Sequence, residues 1–270
     1  LERFTVKANA GQRAFDNRLR INLSLVNSRT VRDDINALVY PNMLTYLPTV
    51  AVKKPDGSYT EDFSRTRNYL NPVSLIDNNI INNKINTFLG NALAELDLLP
   101  GLKYTLSLAY QDENTNGNFY NNRISGINRG LKGVATRNSY SNTKKIAETY
   151  LNYDKSFARH GIKLLAGYSF QQDRNGDGFS SSNQGFVTDE LTYNNLGLGD
   201  PLPGAVVNYG NVRIQTLRLI SFYGRVNYDF GNKYLFQASL RRDGSSAFGT
   251  NNRWGYFPSV SAGWRLTGES

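Results

Sequence analysis

Residues 102–111 read LKYTLSLAYQ. Leu102, Tyr104, Leu106, Leu108 and Tyr110 alternate with Lys103, Thr105, Ser107, Ala109 and Gln111. A β-strand sends successive side chains to opposite faces, so this stretch has one greasy side and one polar side. The same period runs through 18–25 (Leu19, Ile21, Leu23, Leu25) and 162–171 (Ile162, Leu164, Ala166, Tyr168, Phe170). It recurs at 218–230, at 233–241 and at 259–267, and more weakly at 3–9, 84–97 and 144–157. That makes about nine strands, many of about 9–13 residues. Globular strands centre on about 5–6 residues, whereas a tilted membrane strand needs about 9–11. Gly and Asn break nearly every window in which a helical period could start. The pattern predicts an all-β chain, an antiparallel transmembrane β-barrel present in part.

The connections support this reading by their asymmetry. Short turns are expected at 10–17, 98–101, 158–161 and 231–232, and long loops at about 28–83, 113–143, 173–215 and 243–255. Outer-membrane barrels have short periplasmic turns on one rim and long extracellular loops on the other. Strand ends are rich in Tyr and Phe, as interfacial aromatic girdles require. An odd strand count does not close a bacterial single-chain barrel, so residues 1–270 read as part of one barrel domain of a longer protein.

Composition narrows the chemistry. The chain has 270 residues, 39% hydrophobic, no Cys, one His (His160) and a net charge of +9. Without Cys there is no disulfide framework and no thiolate site. A lone His gives no clustered zinc ligands, and no hydroxyl–His–carboxylate arrangement is suggested, so the chain is not read as an enzyme. His160 is expected to be a solvated turn residue. The basic residues are spread out rather than gathered in a stripe, and no nucleic-acid module is evident. On a barrel, Arg18, Arg20, Lys103 and Lys163 would line the lumen, and rim cations would meet anionic lipid headgroups.

Residues 232–269 carry a more specific signal. They contain Arg241-Arg242-Asp243-Gly244-Ser245-Ser246, Phe248-Gly249, Asn252-Arg253-Trp254-Gly255 and Phe257-Pro258-Ser259, followed by Trp264-Arg265. Upstream, Ser221-Phe222-Tyr223-Gly224-Arg225-Val226-Asn227-Tyr228 precedes them. These pieces resemble the barrel signature of the SusC/RagA family of TonB-dependent outer-membrane transporters of Bacteroidota. The resemblance implies a barrel of about 22 strands with a plugged lumen. It places the signal peptide, TonB box and plug outside this chain. It also implies TonB-driven import of an oligosaccharide or a peptide through the cell outer membrane, beneath a SusD-like lipoprotein lid. In physical terms, Asp243-Gly244-Ser245-Ser246 is expected to form a turn with Gly244 at positive φ. Arg253 and Trp254 would anchor the return strand at the interface, and Pro258 would sit where a ladder donor is dispensable.

Two further features bear on function. Asp173-Arg174-Asn175-Gly176-Asp177-Gly178 fits the opening of a calcium loop, with Asp173, Asn175 and Asp177 as first ligands, but Gln184 stands where the closing Glu belongs. Calcium is the one cofactor considered. The long loops interleave aromatic residues with Asn, so Tyr120, Tyr193 and Tyr209 are candidate contacts to ligand or lid, with loop packing as the competing role. Two other classes stay open. These are a passive porin or autotransporter barrel, and a soluble carbohydrate-binding β-domain.

Overall fold

The computed structural model describes residues 1–62, 69–200 and 214–266. Nine strands form one antiparallel sheet in sequence order: β1 (Glu2–Ala14), β2 (Leu19–Asp34), β3 (Asn79–Leu99), β4 (Leu102–Asn121), β5 (Val134–Phe157), β6 (His160–Gln184), β7 (Gln215–Phe230), β8 (Tyr234–Ser245) and β9 (Trp254–Trp264). Each strand pairs with the next, a meander without crossovers.

Directly opposed residues share a face, so the register carries the period of one strand across the whole wall. One row runs Leu23, Ala92, Leu108, Ala147, Phe170, Ile220. Two rows away on the same face, Leu19, Leu96, Tyr104, Leu151, Ala166, Gly224, Leu240 and Pro258 line up. Among the described residues no second layer covers this band: Leu108 is 44% exposed, Phe222 48% and Val260 70%. A soluble sandwich would bury such a face against another sheet. Lipid is the environment in which a band of this kind is stable.

The strands are longer than the hydropathy pattern suggests. β5 has 24 residues and β6 has 25. The expected loops shrink accordingly, to 35–78, 122–133, 185–214 and 246–253, and the turn expected at 10–17 shrinks to 15–18. The reason is solvent. Beyond the apolar band neither face has to meet lipid, and residues such as Asn116 opposite Ser139 and Asn118 opposite Arg137 keep the ladder without alternating in polarity.

The 35–78 connection is built rather than structureless. It holds two short helices, α1 (Val39–Thr45) and α2 (Pro72–Asp77). Asn71 caps α2, accepting from the amides of Val73 and Ser74, with Pro72 in the first helical turn, and its Nδ2 donates to Val52 O at 2.7 Å. Val39, Leu70 and Leu75 form a small core with Ile127. Tyr46 stacks on Tyr69 at 4.6 Å.

Candidate functional site

The face opposite the apolar band is mainly polar, with Leu93, Leu165 and Leu219 as exceptions: Asn22, Ser24, Asn91, Ser107, Glu148, Asn152, Arg225, Asn227 and Gln237 all lie on it by register. This is the lumen side. Arg20, Lys103 and Lys163 lie on it, as the alternation predicts, while Arg18 stands in the turn just before β2. Near the short-turn rim, Arg20 bridges Glu95 (3.5 Å) and Asp97 (3.0 Å), and Lys103 reaches Glu95 (3.6 Å). Arg18 donates to the carbonyls of Asp97 and Leu98, holding the β3–β4 turn. Lys163 pairs with Asp154 at 3.0 Å. Half-exposed pairs of this kind contribute little stability, so their main effect is to fix the charge pattern of the wall.

Higher on the same face, the row Tyr150, Gly167, Tyr223, Arg241 forms a fixed polar group. The Tyr223 ring lies against Gly167, where an added Cβ would sit 2.4 Å from it. The Arg241 guanidinium stands 5.8 Å from that ring, donates from Nε to Asp243 (2.8 and 2.9 Å) and from Nη2 to Ser221 Oγ (3.0 Å). The arrangement presents oriented donors, acceptors and an aromatic surface to whatever occupies the lumen. Tyr150 carries no signal in the sequence, whereas Tyr223 and Arg241 stand within the signature pieces, and counting every second residue back from Asp243 reaches Arg241.

The signature region differs from its expected shape. Asp243, Gly244 and Ser245 are strand, and the reversal follows in 246–253. Gly244 does not take a positive φ. It is opposed to Trp254, whose indole lies over it, and a Cβ there would meet the ring at 2.8 Å. Arg242 lies on the lipid face, 4.2 Å from the Trp254 centroid and 5.4 Å from that of Tyr256. The Ser245 amide donates to Arg253 O (2.9 Å), its Oγ accepts from Ala247 N (3.2 Å), and Ser246 Oγ accepts from Arg218 N (2.8 Å). Phe248 is exposed in the turn. Pro258 sits within β9 opposite Leu240. The signature therefore sorts its side chains by parity, with Arg241 and Asp243 towards the lumen and Arg242 and Trp254 towards lipid.

Asp173, Asn175 and Asp177 do not coil around a centre, as a calcium loop would. They lie within β6, where a bulge against β5 sets in between Ser141 and Thr143. The bulge brings Asp177 to the side of Arg174 (2.7 Å), while Asp173 is on the lumen side with Lys144 (3.7 Å). The two carboxylates thus take opposite faces of the wall. Among the described residues no group of three or more His, Asp or Glu is placed to hold a metal.

Tyr120 is 2% exposed, packed with Ala135 and Phe186 beneath Tyr193 and Leu196, and its hydroxyl donates to Asp189 at 2.6 Å. Burial pushes this hydroxyl, which lies on the part of β4 above the apolar band, well above its usual range, and the Asp189 bond adds to the shift. Tyr120 packs the loop and is closed to a ligand; Tyr193 is half-buried against the same cluster, and Tyr209 lies outside the described residues. His160 is not a solvated turn residue either. It lies on the lipid face among Phe157, Phe230 and Tyr228, with the Tyr228 hydroxyl 2.8 Å from Nδ1, in the aromatic girdle of the short-turn rim.

The family described as "TonB dependent receptor-like, beta-barrel" matches residues 17–269. The chain belongs to it. Among relatives, TonB-dependent receptor P3 of Formosa agariphila is 31% identical over 280 residues, covering 100% of this chain and 27% of that receptor. TonB-dependent receptor SusC of Bacteroides thetaiotaomicron is 27% identical over 298 residues, covering 99% of this chain and 28% of SusC. A solved structure described as that of the RagAB peptide transporter superposes with a TM-score of 0.80 at 18% identity, over 99% of this chain and 30% of the solved one. This TonB-dependent receptor segment therefore spans between a quarter and a third of the length of the proteins it matches. It is a partial barrel of an outer-membrane family of receptors and transporters, and the soluble-domain reading is set aside by both the family match and the uncovered apolar band.

Proposed function

We propose that this chain is wall, lumen lining and outer mouth of a TonB-dependent importer of oligosaccharides or peptides, closed from outside by a SusD-like lipoprotein, and that it performs no catalysis. The observation that carries the reading is the two-faced wall, in which a lipid-compatible band backs a lumen face set with Arg241, Asp243, Ser221 and Tyr223. Guanidinium, carboxylate, hydroxyl and phenol suit hydroxyl-rich and amide-rich solutes equally, so both cargo classes stand. The names of the matched receptors and of the RagAB transporter support the coupling and the lid.

The test uses the complete receptor gene in its native host. Deleting it should abolish growth on one class of polymer, glycan or peptide, and removing TonB function should do the same. Affinity purification of the receptor should recover a lipoprotein. Uptake that persists without TonB would establish a passive pore instead.

A further inference from the structure

The register places a group of cations on the lipid-facing side of the wall, in the row next to Leu108, Ala147, Phe170 and Ile220 on its long-loop side. Lys145, Gln172 and Arg218 lie side by side on β5, β6 and β7. Arg174 lies one step further out on the same face, opposite Thr143 and Thr216. Arg242 opposes Phe222, four residues along β7 from Arg218, a separation of about 13 Å along the strand. Lys145, Arg174 and Arg218 are exposed.

The anions on this face are already engaged. Asp177 is held by Arg174 at 2.7 Å. Asp112 accepts from Ser141 (3.2 Å) and Asn114 (3.0 Å). Among the described residues, Lys145, Arg218 and Arg242 form no ion pair with a carboxylate. Arg218 Nε is taken up by Gln172 Oε1 at 3.1 Å. Lys145 lies 6.0 Å from the Tyr110 ring, and Arg242 is packed on Trp254 and Tyr256 with its Nε buried and unbonded.

Tyr110, Tyr168, Phe222, Trp254 and Tyr256 surround these cations, and rings of this kind mark the headgroup level of a barrel. Three uncompensated positive charges on a lipid-facing surface are costly in hydrocarbon and favourable against anionic headgroups. We infer that Lys145, Arg218 and Arg242 form a docking site for a phosphate-bearing glycolipid of the outer leaflet. Its headgroup phosphates meet the Lys145–Arg218 pair at one end and Arg242 at the other, and its acyl chains lie on the apolar rows below. The site rests on the chain's place in an outer-membrane barrel, and it is independent of what the lumen carries.

The test uses the complete receptor purified in detergent, with diphosphoryl lipid A as probe. Dephosphorylated lipid A and inorganic phosphate serve as controls. Diphosphoryl lipid A should bind and raise the unfolding temperature, and the triple variant Lys145→Gln, Arg218→Gln, Arg242→Gln should bind it about a hundredfold more weakly. The lumen-side variant Lys163→Gln, Arg225→Gln should bind as the parent does. Arg218→Lys with Arg242→Lys should keep most of the affinity, which separates charge from barrel packing, and heat-modifiable gel migration reports folding of every variant. Equal binding of lipid A by parent and folded triple variant would overturn the proposal. So would equal stabilisation by inorganic phosphate or by the dephosphorylated lipid.

Discussion

The indole of Trp254 lies across Gly244 on the β8–β9 ladder, so close that a methyl group on Gly244 would meet the ring at 2.8 Å. Glycine here serves close approach rather than a turn. The indole occupies the space a side chain would fill and offers its other contacts to the Arg242 guanidinium.

Gly244→Val should therefore destabilise the barrel by about 1–3 kcal/mol, the usual range for overpacking. Gly249→Ala, with open space around it, is the matched control. Denaturant unfolding of the complete receptor, followed by Trp fluorescence, reads both.

Lipid and lumen faces should respond oppositely to one charge. Leu106→Arg places a cation in the apolar band and should cost about 2–4 kcal/mol. Ser107→Arg, one residue on and pointing to the lumen, should cost well under half as much. Folding yield into vesicles and urea unfolding distinguish them, and equal penalties would reverse the assignment of faces.

Tyr120→Phe removes the hydroxyl that donates to Asp189, leaving that carboxylate oxygen the Arg123 amide (3.0 Å). The loss should be about 1–3 kcal/mol, confined to the 185–200 connection. Limited proteolysis there should accelerate, while cargo affinity stays unchanged because the ring is buried away from solvent.

Glu61 gives the 35–78 connection a pH response. Desolvation raises its pKa above the ordinary carboxylate value, and the Ser74 hydroxyl, the Asn71 amide and Lys54 offset only part of that rise. The folded connection thus holds its proton more tightly than the opened one. Stability is greatest below the ordinary carboxylate range and falls as pH rises through and above it. Hydrogen exchange in α1 and α2 should speed up over that interval, and Glu61→Gln should flatten the dependence.

Much of the architecture was legible because lipid imposes a strict period of two. From Leu102 to Tyr110 the alternation names strand, face and environment together, and the register extends that answer across the wall. Legibility stops where lipid stops. Asn114, Asn116 and Asn118 remain in β4 with nothing in their polarity to say so. The same limit hid α1 and α2, each under eight residues, whose best signal was Asn71 before Pro72. The Asp173–Asp177 pattern is ambiguous for a related reason. A string of Asp, Asn and Gly describes a bulged, water-exposed strand as well as a ligand loop, and pairing with Lys144 and Arg174 is invisible in one dimension. Arg241 stands in the signature, but its contacts with Ser221 and Tyr223 are made across the ladder and do not show in one dimension.

The length of β5 and β6 has a consequence for how a solute is met. Twenty-five residues of extended chain in β6 reach about 80 Å along the strand, against an apolar band about 25 Å tall. Even with a tilt of about 40°, a large part of the sheet rises beyond the membrane as a palisade. A molecule arriving from outside encounters backbone already ordered by hydrogen bonds. Capture on such a surface forfeits little conformational freedom of the protein, so weak individual contacts can add up to useful retention.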